Sequence, residues 1–204
     1  MNGLFIVFEG ITGSGKKTQI RLLEEKLKEA GKEVVILSFP DFEGEIARLT
    51  RRRDFNNYAL SLLYAADRSL SQERIKSLLE KGVIVLCDRY SYSNFAYQTT
   101  NDIPSDWLIE IEKFSIKPDL VFFIDIPIEM SIKRLEQLSI GDFTKKEAVD
   151  RLTKERERME KVRDAYMFLS KSGIDKAKWF IIDGAMEISF IHEQIWGTVS
   201  KHLS

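Results

Sequence analysis

The chain has 204 residues, 44% hydrophobic and 31% charged, enough to bury the core of one globular domain. A formal net charge of −1 argues against a general nucleic-acid or membrane-surface binder, and the one dense basic run, Arg51-Arg52-Arg53, is too short to reverse that. The single cysteine, Cys87, excludes an intramolecular disulfide; with no signal-like start and no apolar run of membrane-spanning length, a cytoplasmic protein is expected.

The elements alternate along the chain. LFIVFEG at 4–10 is a short apolar run with the look of a buried strand. Ile20, Leu22, Leu23 and Leu27 then recur at helical spacing from Lys16 to Ala30, and Gly31 is placed to end that helix. EVVILSF at 33–39 is a second strand, helical patterns follow through roughly 55–80, and VIVLCD at 83–88 is a third strand. Cys87 within it reads as a small buried hydrophobe. PDLVFFIDIP at 118–127 is a fourth strand. A long charged helix is predicted over about 145–170, a fifth strand at WFIID (179–183), and a last helix to the end. Strands separated by helices predict an α/β fold with a five-stranded parallel sheet. The strands are continuously apolar, so helices should cover both faces. SIGDF at 139–143 interrupts two helical patterns and is the candidate mobile loop.

EGITGSGKKT at 9–18 joins the first strand to the first helix. Gly10, Gly13 and Gly15 permit unusual backbone angles, so that successive N–H groups converge at a helix N-terminus, where an anion is favoured. Lys16 adds a charge for the terminal phosphates of a nucleotide. The rival dinucleotide fingerprint would begin at Gly13, but Thr18 stands at its third glycine. One position departs from the phosphate-loop pattern. Lys17 replaces the hydroxyl that normally touches Mg2+, and an ammonium cannot ligate a cation. Thr18, one residue on, points elsewhere. The metal should then lean on phosphate oxygens, water and carboxylates, with Asp88 as its direct or water-mediated ligand. Asp88 and Arg89 follow the third strand, at the sheet edge where ligands bind in such folds.

FEG-x-x-G-x-G-K-x-T, Phe39-Pro40 after the second strand, Ala66-Asp67-Arg68, Asp88-Arg89-Tyr90 and PDLVFFIDIP occur in an order and spacing that resemble the thymidylate kinases over nearly the whole chain. The resemblance implies a P-loop NTPase-type three-layer fold with a short lid at about 139–151. It also implies a homodimer that transfers a phosphoryl group from ATP to dTMP with Mg2+, with no nucleic-acid or membrane partner. ATP would lie on Gly10, Gly13, Ser14, Gly15, Lys16, Lys17 and Thr18, with Arg134 near the donor nucleotide. By the same resemblance Phe39 and Pro40 wall the base pocket, Tyr64 stacks on thymine, Arg68 donates to a base carbonyl and Asn94 contacts the base. Tyr97 crowds the sugar 2′ position, Arg89 binds the acceptor phosphate, and Tyr166 joins the substrate-binding set.

Three departures bear on this expectation. Lys17 is one. Thr12 stands where the family usually has an aspartate beside the sugar 3′-hydroxyl, and Phe42 stands where many members have an arginine that Arg48 would have to replace. The loop residues Ile11, Thr12 and Ser14 offer no extra cation, so Lys145 and Arg151 of the lid are expected to join Lys16, Arg89 and Asp88 in catalysis. The alternatives are a nucleotide kinase with a broader acceptor range, such as dUMP or other deoxynucleoside monophosphates, and an ATPase switch without a second pocket.

Overall fold

The structure, a computed structural model, describes residues 3–41, 43–52, 54–138 and 145–203, with the side chains of 138 and 145–154 left aside. Five strands form one parallel sheet: β1 (Phe5–Glu9), β2 (Val34–Ser38), β3 (Ile84–Asp88), β4 (Leu120–Asp125) and β5 (Lys178–Asp183), in the order β2-β3-β1-β4-β5. The parallel sheet expected from the sequence is therefore present, with the loop-bearing β1 at its centre.

Alternation along the strands explains both faces. Phe5, Val7, Val85, Cys87, Val121 and Phe123 point to one side, where α5 (Ser91–Gln98) and α8 (Lys145–Ser172) supply Tyr92, Phe95, Val162, Tyr166 and Leu169. Ile6, Phe8, Leu86, Leu120, Phe122 and Ile124 point to the other. There α1 (Lys16–Glu29) brings Ile20, Leu23 and Leu27, and α9 (Ile188–Val199) brings Ile191, Ile195 and Val199. Gly31 ends α1 in the left-handed region at φ 73°, as its placement predicts.

The stretch over 55–80 is two helices, α3 (Asn57–Leu70) and α4 (Gln72–Glu80), preceded by α2 (Glu45–Thr50). Asn56 starts α3, its side-chain oxygen accepting from the Ala59 amide at 2.8 Å. Segments 91–98 and 105–111 form α5 and α6 (Ser105–Ile111), neither of which shows a clear apolar stripe: polar residues interrupt it in α5, and Leu108 is the buried residue of α6. Ser91, Asn94 and Gln98 are all buried in α5. Between β4 and the predicted loop lies α7 (Ile128–Leu138). The loop itself, with residues 139–144, falls outside the described residues, as does Phe42.

Phe122 lies between Phe8 and Phe180, with ring centroids 5.4 and 5.5 Å away, and is fully buried. Phe122→Ala should lower stability by about 3–5 kcal/mol, read as a fall in the urea midpoint with the m value retained.

Candidate active site

β1 stops at Glu9 because the chain must turn sharply beneath β4. Gly10 sits at φ 144°, and a Cβ there would meet the Ile124 carbonyl oxygen at 2.6 Å. Gly15 caps α1 at φ 98°, also in the region that favours glycine. α7 buttresses the loop from outside. The Ser131 hydroxyl donates to the Thr12 carbonyl at 2.6 Å, and Arg134 donates to the Gly13 carbonyl at 2.8 Å and more distantly to Gly184. Arg134, expected near the donor nucleotide, lies against the loop through that Gly13 carbonyl. Lys16 is buried, its ammonium donating to the Gly10 and Ile11 carbonyls at 3.0 Å each and to Ser14 at 3.2 Å. Burial, with Arg89 nearby, pushes the Lys16 amine down to about 7 against the pull of Asp88 and Glu9. Lys17 and Thr18 are exposed on the first turn of α1.

At the end of β3, Arg89 holds a left-handed backbone, φ 68°, at a cost of about 1–2 kcal/mol for a residue with a Cβ. This turn aims the guanidinium back over the loop. One terminal nitrogen donates to Ser93 and Tyr166, each at 3.2 Å; the other donates to the Tyr97 hydroxyl at 3.2 Å and lies 3.5 Å from Thr12. Behind it, Glu9 is fully buried and accepts from the Tyr90 amide at 2.8 Å, Ser93 at 2.7 Å and Tyr166 at 2.9 Å. Burial raises the Glu9 carboxyl, opposed first by Arg89. For Arg89, burial pulls down, but Tyr97, Tyr166, Glu9 and Asp88 hold it above its ordinary value, so it keeps its charge. Asp88 has one buried carboxylate oxygen with no hydrogen-bond partner.

A cavity of about 230 Å³ opens beside Arg89. Thr12, Phe39, Pro40, Tyr64, Arg68, Asn94 and Tyr97, all expected here from the sequence, line it with Arg89. Phe39 serves two purposes, since it also packs edge-on against Tyr90 in the core. Arg68 is buried, and Glu112 grips its Nε and one terminal nitrogen through both carboxylate oxygens. Asn94 donates from its amide nitrogen to Glu112 at 2.8 Å and to the Ser61 carbonyl at 3.1 Å, which leaves its oxygen buried and without a partner. The two acceptors fix which end of that amide is which.

Tyr166 requires a correction. It does not line the cavity but is fully buried behind Arg89, which it positions together with Glu9 and Ser93. Arg48 is exposed on α2 and does not line the cavity either. Lys145 and Arg151 lie in the first part of α8, and their side chains fall outside the description. Glu9, Ser93, Gln98, Glu112 and Arg158 were not anticipated from the sequence. Glu9 left a signal, a charge at the end of a strand that is otherwise wholly apolar. Glu112 left none, because its role exists only across 44 residues of sequence separation.

The family model for thymidylate kinase matches residues 8–195. The chain belongs to the thymidylate kinase family. It is 38% identical over 201 residues to the thymidylate kinase of Thermosipho melanesiensis, covering 94% of this chain and 95% of the relative. It is 38% identical to the thymidylate kinase of Thermosipho africanus, with 98% and 99% covered. A probable thymidylate kinase of Thermococcus kodakarensis is 34% identical, with 94% and 95% covered. Within this thymidylate kinase family member, the loop and the cavity are joined by the Glu9–Arg89 cluster.

Lys16 gives this site a proton signature. Above about pH 7 its amine is largely neutral here, and a polyphosphate beside it favours the charged form. ATP binding at about pH 8 should therefore take up a proton, and the uptake should fade as pH drops below 7, where the amine is already charged. Binding enthalpies measured in buffers of different ionisation enthalpy check this. Buffer-independent enthalpies at that pH would contradict it.

Proposed function

We propose that the protein transfers the γ-phosphoryl group of ATP to dTMP, giving ADP and dTDP. One observation carries the choice of acceptor. In a cavity walled by Phe39 and Tyr64, the donor Arg68 stands with a buried oxygen of Asn94 that lacks a partner. A thymine imide edge presents a carbonyl acceptor next to an N–H donor, so it satisfies both. Cytosine presents an amine and a bare ring nitrogen, the reverse pattern, and would leave both groups unpaired at a large penalty. Glu112 neutralises Arg68 without occupying all its N–H groups, so the residue can donate without attracting a second anion.

The chemistry follows from the charges. Arg89 holds the acceptor phosphate, one of whose oxygens attacks the γ-phosphorus as the bond to the β–γ bridging oxygen breaks and ADP leaves. Lys16 shifts from its carbonyl cage to the transferring group, and the loop amides hold the remaining phosphates. Mg2+ fits the donor set: the Asp88 oxygen without a partner is a hard ligand, and Mg2+ usually completes its shell with phosphate oxygens and water. Among the described residues no cluster of three metal-binding side chains competes with that arrangement. When bound, the ion draws charge from the phosphates.

The finer features of the reading are a single kinase domain with a lid at about 139–151, from which Lys145 and Arg151 add charge, and a cytoplasmic homodimer. Exposed Tyr58, Leu62 and Leu70 on α3 and Ile109 on α6 offer apolar surface for a second copy. Among the described residues, no helix is long and apolar enough to cross a membrane. A second reading has its own support. Arg68 and Asn94 address an imide edge that thymine shares with uracil, so dUMP is a weaker acceptor of the same site.

The test is ADP release from ATP and Mg2+ with dTMP, dUMP, dCMP, dGMP or UMP. dTMP should stimulate most and dUMP less, with kcat/KM for dCMP lower by about 100-fold or more. Equal rates with dCMP or dGMP would overturn the acceptor assignment, and no stimulation by any acceptor would overturn the kinase reading.

A further inference from the structure

α8 runs past the acceptor cavity with Met159, Val162 and Tyr166 buried beneath it. Arg158 precedes Met159 and turns the other way, to the rim of the cavity, which it lines. Its guanidinium carbon stands 5.7 Å from the centroid of the Tyr97 ring, and that of Arg89 stands 5.1 Å from the same ring. Arg158 is also close enough to Tyr64 for its charge to oppose the burial that raises that phenol.

The charges around the cavity are otherwise accounted for. Arg68 is matched by Glu112, and Arg89 is tied through Ser93 and Tyr166 to Glu9. On the same helix Arg156 pairs with Glu129 and Glu160, and Arg163 grips Asp125 at 2.5 and 2.7 Å. Arg158 makes no ion pair among the described residues, although Glu155 and Glu157 are its near neighbours in sequence. Among the described residues no carboxylate lines the cavity to receive it. An exposed arginine held over an aromatic ring, at the mouth of a site already carrying one charged arginine, is a cation awaiting an anion.

Resting on the dTMP reading, we propose that Arg158 is an acceptor-binding residue. It closes over the cavity mouth and donates to the oxygens of the acceptor phosphate that face away from Arg89. The dianion is then held between two guanidinium groups, with Tyr97 as the common platform. This placement makes Arg158 a determinant of preference for a charged monophosphate over the neutral nucleoside.

The experiment compares Arg158→Gln, Arg158→Lys and, as a surface control, Arg156→Gln, in steady-state assays with ATP and dTMP across a range of salt. For Arg158→Gln, KM for dTMP should rise about tenfold, KM for ATP should hold, and the loss should fall on KM rather than kcat. The salt dependence of kcat/KM for dTMP should flatten as one cation is removed. Arg158→Lys should recover part of the loss, because it restores the charge without the fork. Arg156→Gln should behave as the unsubstituted enzyme. An Arg158→Gln enzyme with unchanged KM for dTMP and unchanged salt dependence would overturn the proposal, as would a fall in kcat with KM unaltered. In both cases the unsubstituted enzyme still phosphorylates dTMP. Absence of that activity would instead overturn the functional reading, and this proposal with it.

Discussion

Everything at the site hangs on a carboxylate that has no access to water. Glu9 is fully buried at the end of the central strand, where an uncompensated charge would cost several kcal/mol. It is offset by three donors from three parts of the chain: the Tyr90 amide beyond β3, the Ser93 hydroxyl in α5 and the Tyr166 hydroxyl in α8. The two hydroxyls in turn accept from Arg89. Because Glu9 immediately precedes Gly10, the phosphate loop and the arginine that faces it share one anchor. Moving either would break hydrogen bonds to a buried charge, so their separation is built into the fold.

The same economy of charge runs through the acceptor cavity. Arg68 and Glu112 cancel each other at the cavity, and Asn94 is oriented by Glu112 and the Ser61 carbonyl so that its oxygen is left over. What remains for the ligand is a directional pattern of one donor and one acceptor, flanked by aromatic walls. Arg89, by contrast, hydrogen-bonds hydroxyls and no carboxylate among the described residues, and Glu9 and Asp88 act on its charge through space. Buried polar groups of this kind cost stability when unpaired, and on the proposed function the ligand would complete them.

The sequence made the sheet legible because a parallel strand covered on both faces must be apolar throughout, and FIVFE, IVLCD and LVFFID are apolar almost without interruption. The loop was legible for a similar reason, since its backbone demands glycine at Gly10 and Gly15. Most of the cavity residues were placed by resemblance, and Phe39, Tyr64, Arg68 and Asn94 do meet there. The partners were not legible. Glu112 is an ordinary acidic residue just past a short helix until folding brings it to Arg68. The resemblance puts Tyr166 in the substrate-binding set because it carries over position but not burial, whereas the side chain is fully buried against Arg89 and Glu9. α5 was hidden because Ser91, Asn94 and Gln98 share its buried positions with Tyr92, Phe95 and Ala96, which breaks the apolar stripe.

The claim that Glu9 sets the spacing of the two phosphate-binding elements is tested most directly by Glu9→Gln, an isosteric change that removes the charge and turns one acceptor into a donor. Near-UV circular dichroism establishes that the variant folds, and calorimetry of dTMP binding, with single-turnover phosphoryl transfer, reports the spacing. The account predicts a folded enzyme whose dTMP affinity and transfer rate each fall by about tenfold or more, since Arg89 loses the support behind it. A folded Glu9→Gln enzyme with unaltered affinity and transfer rate would contradict it.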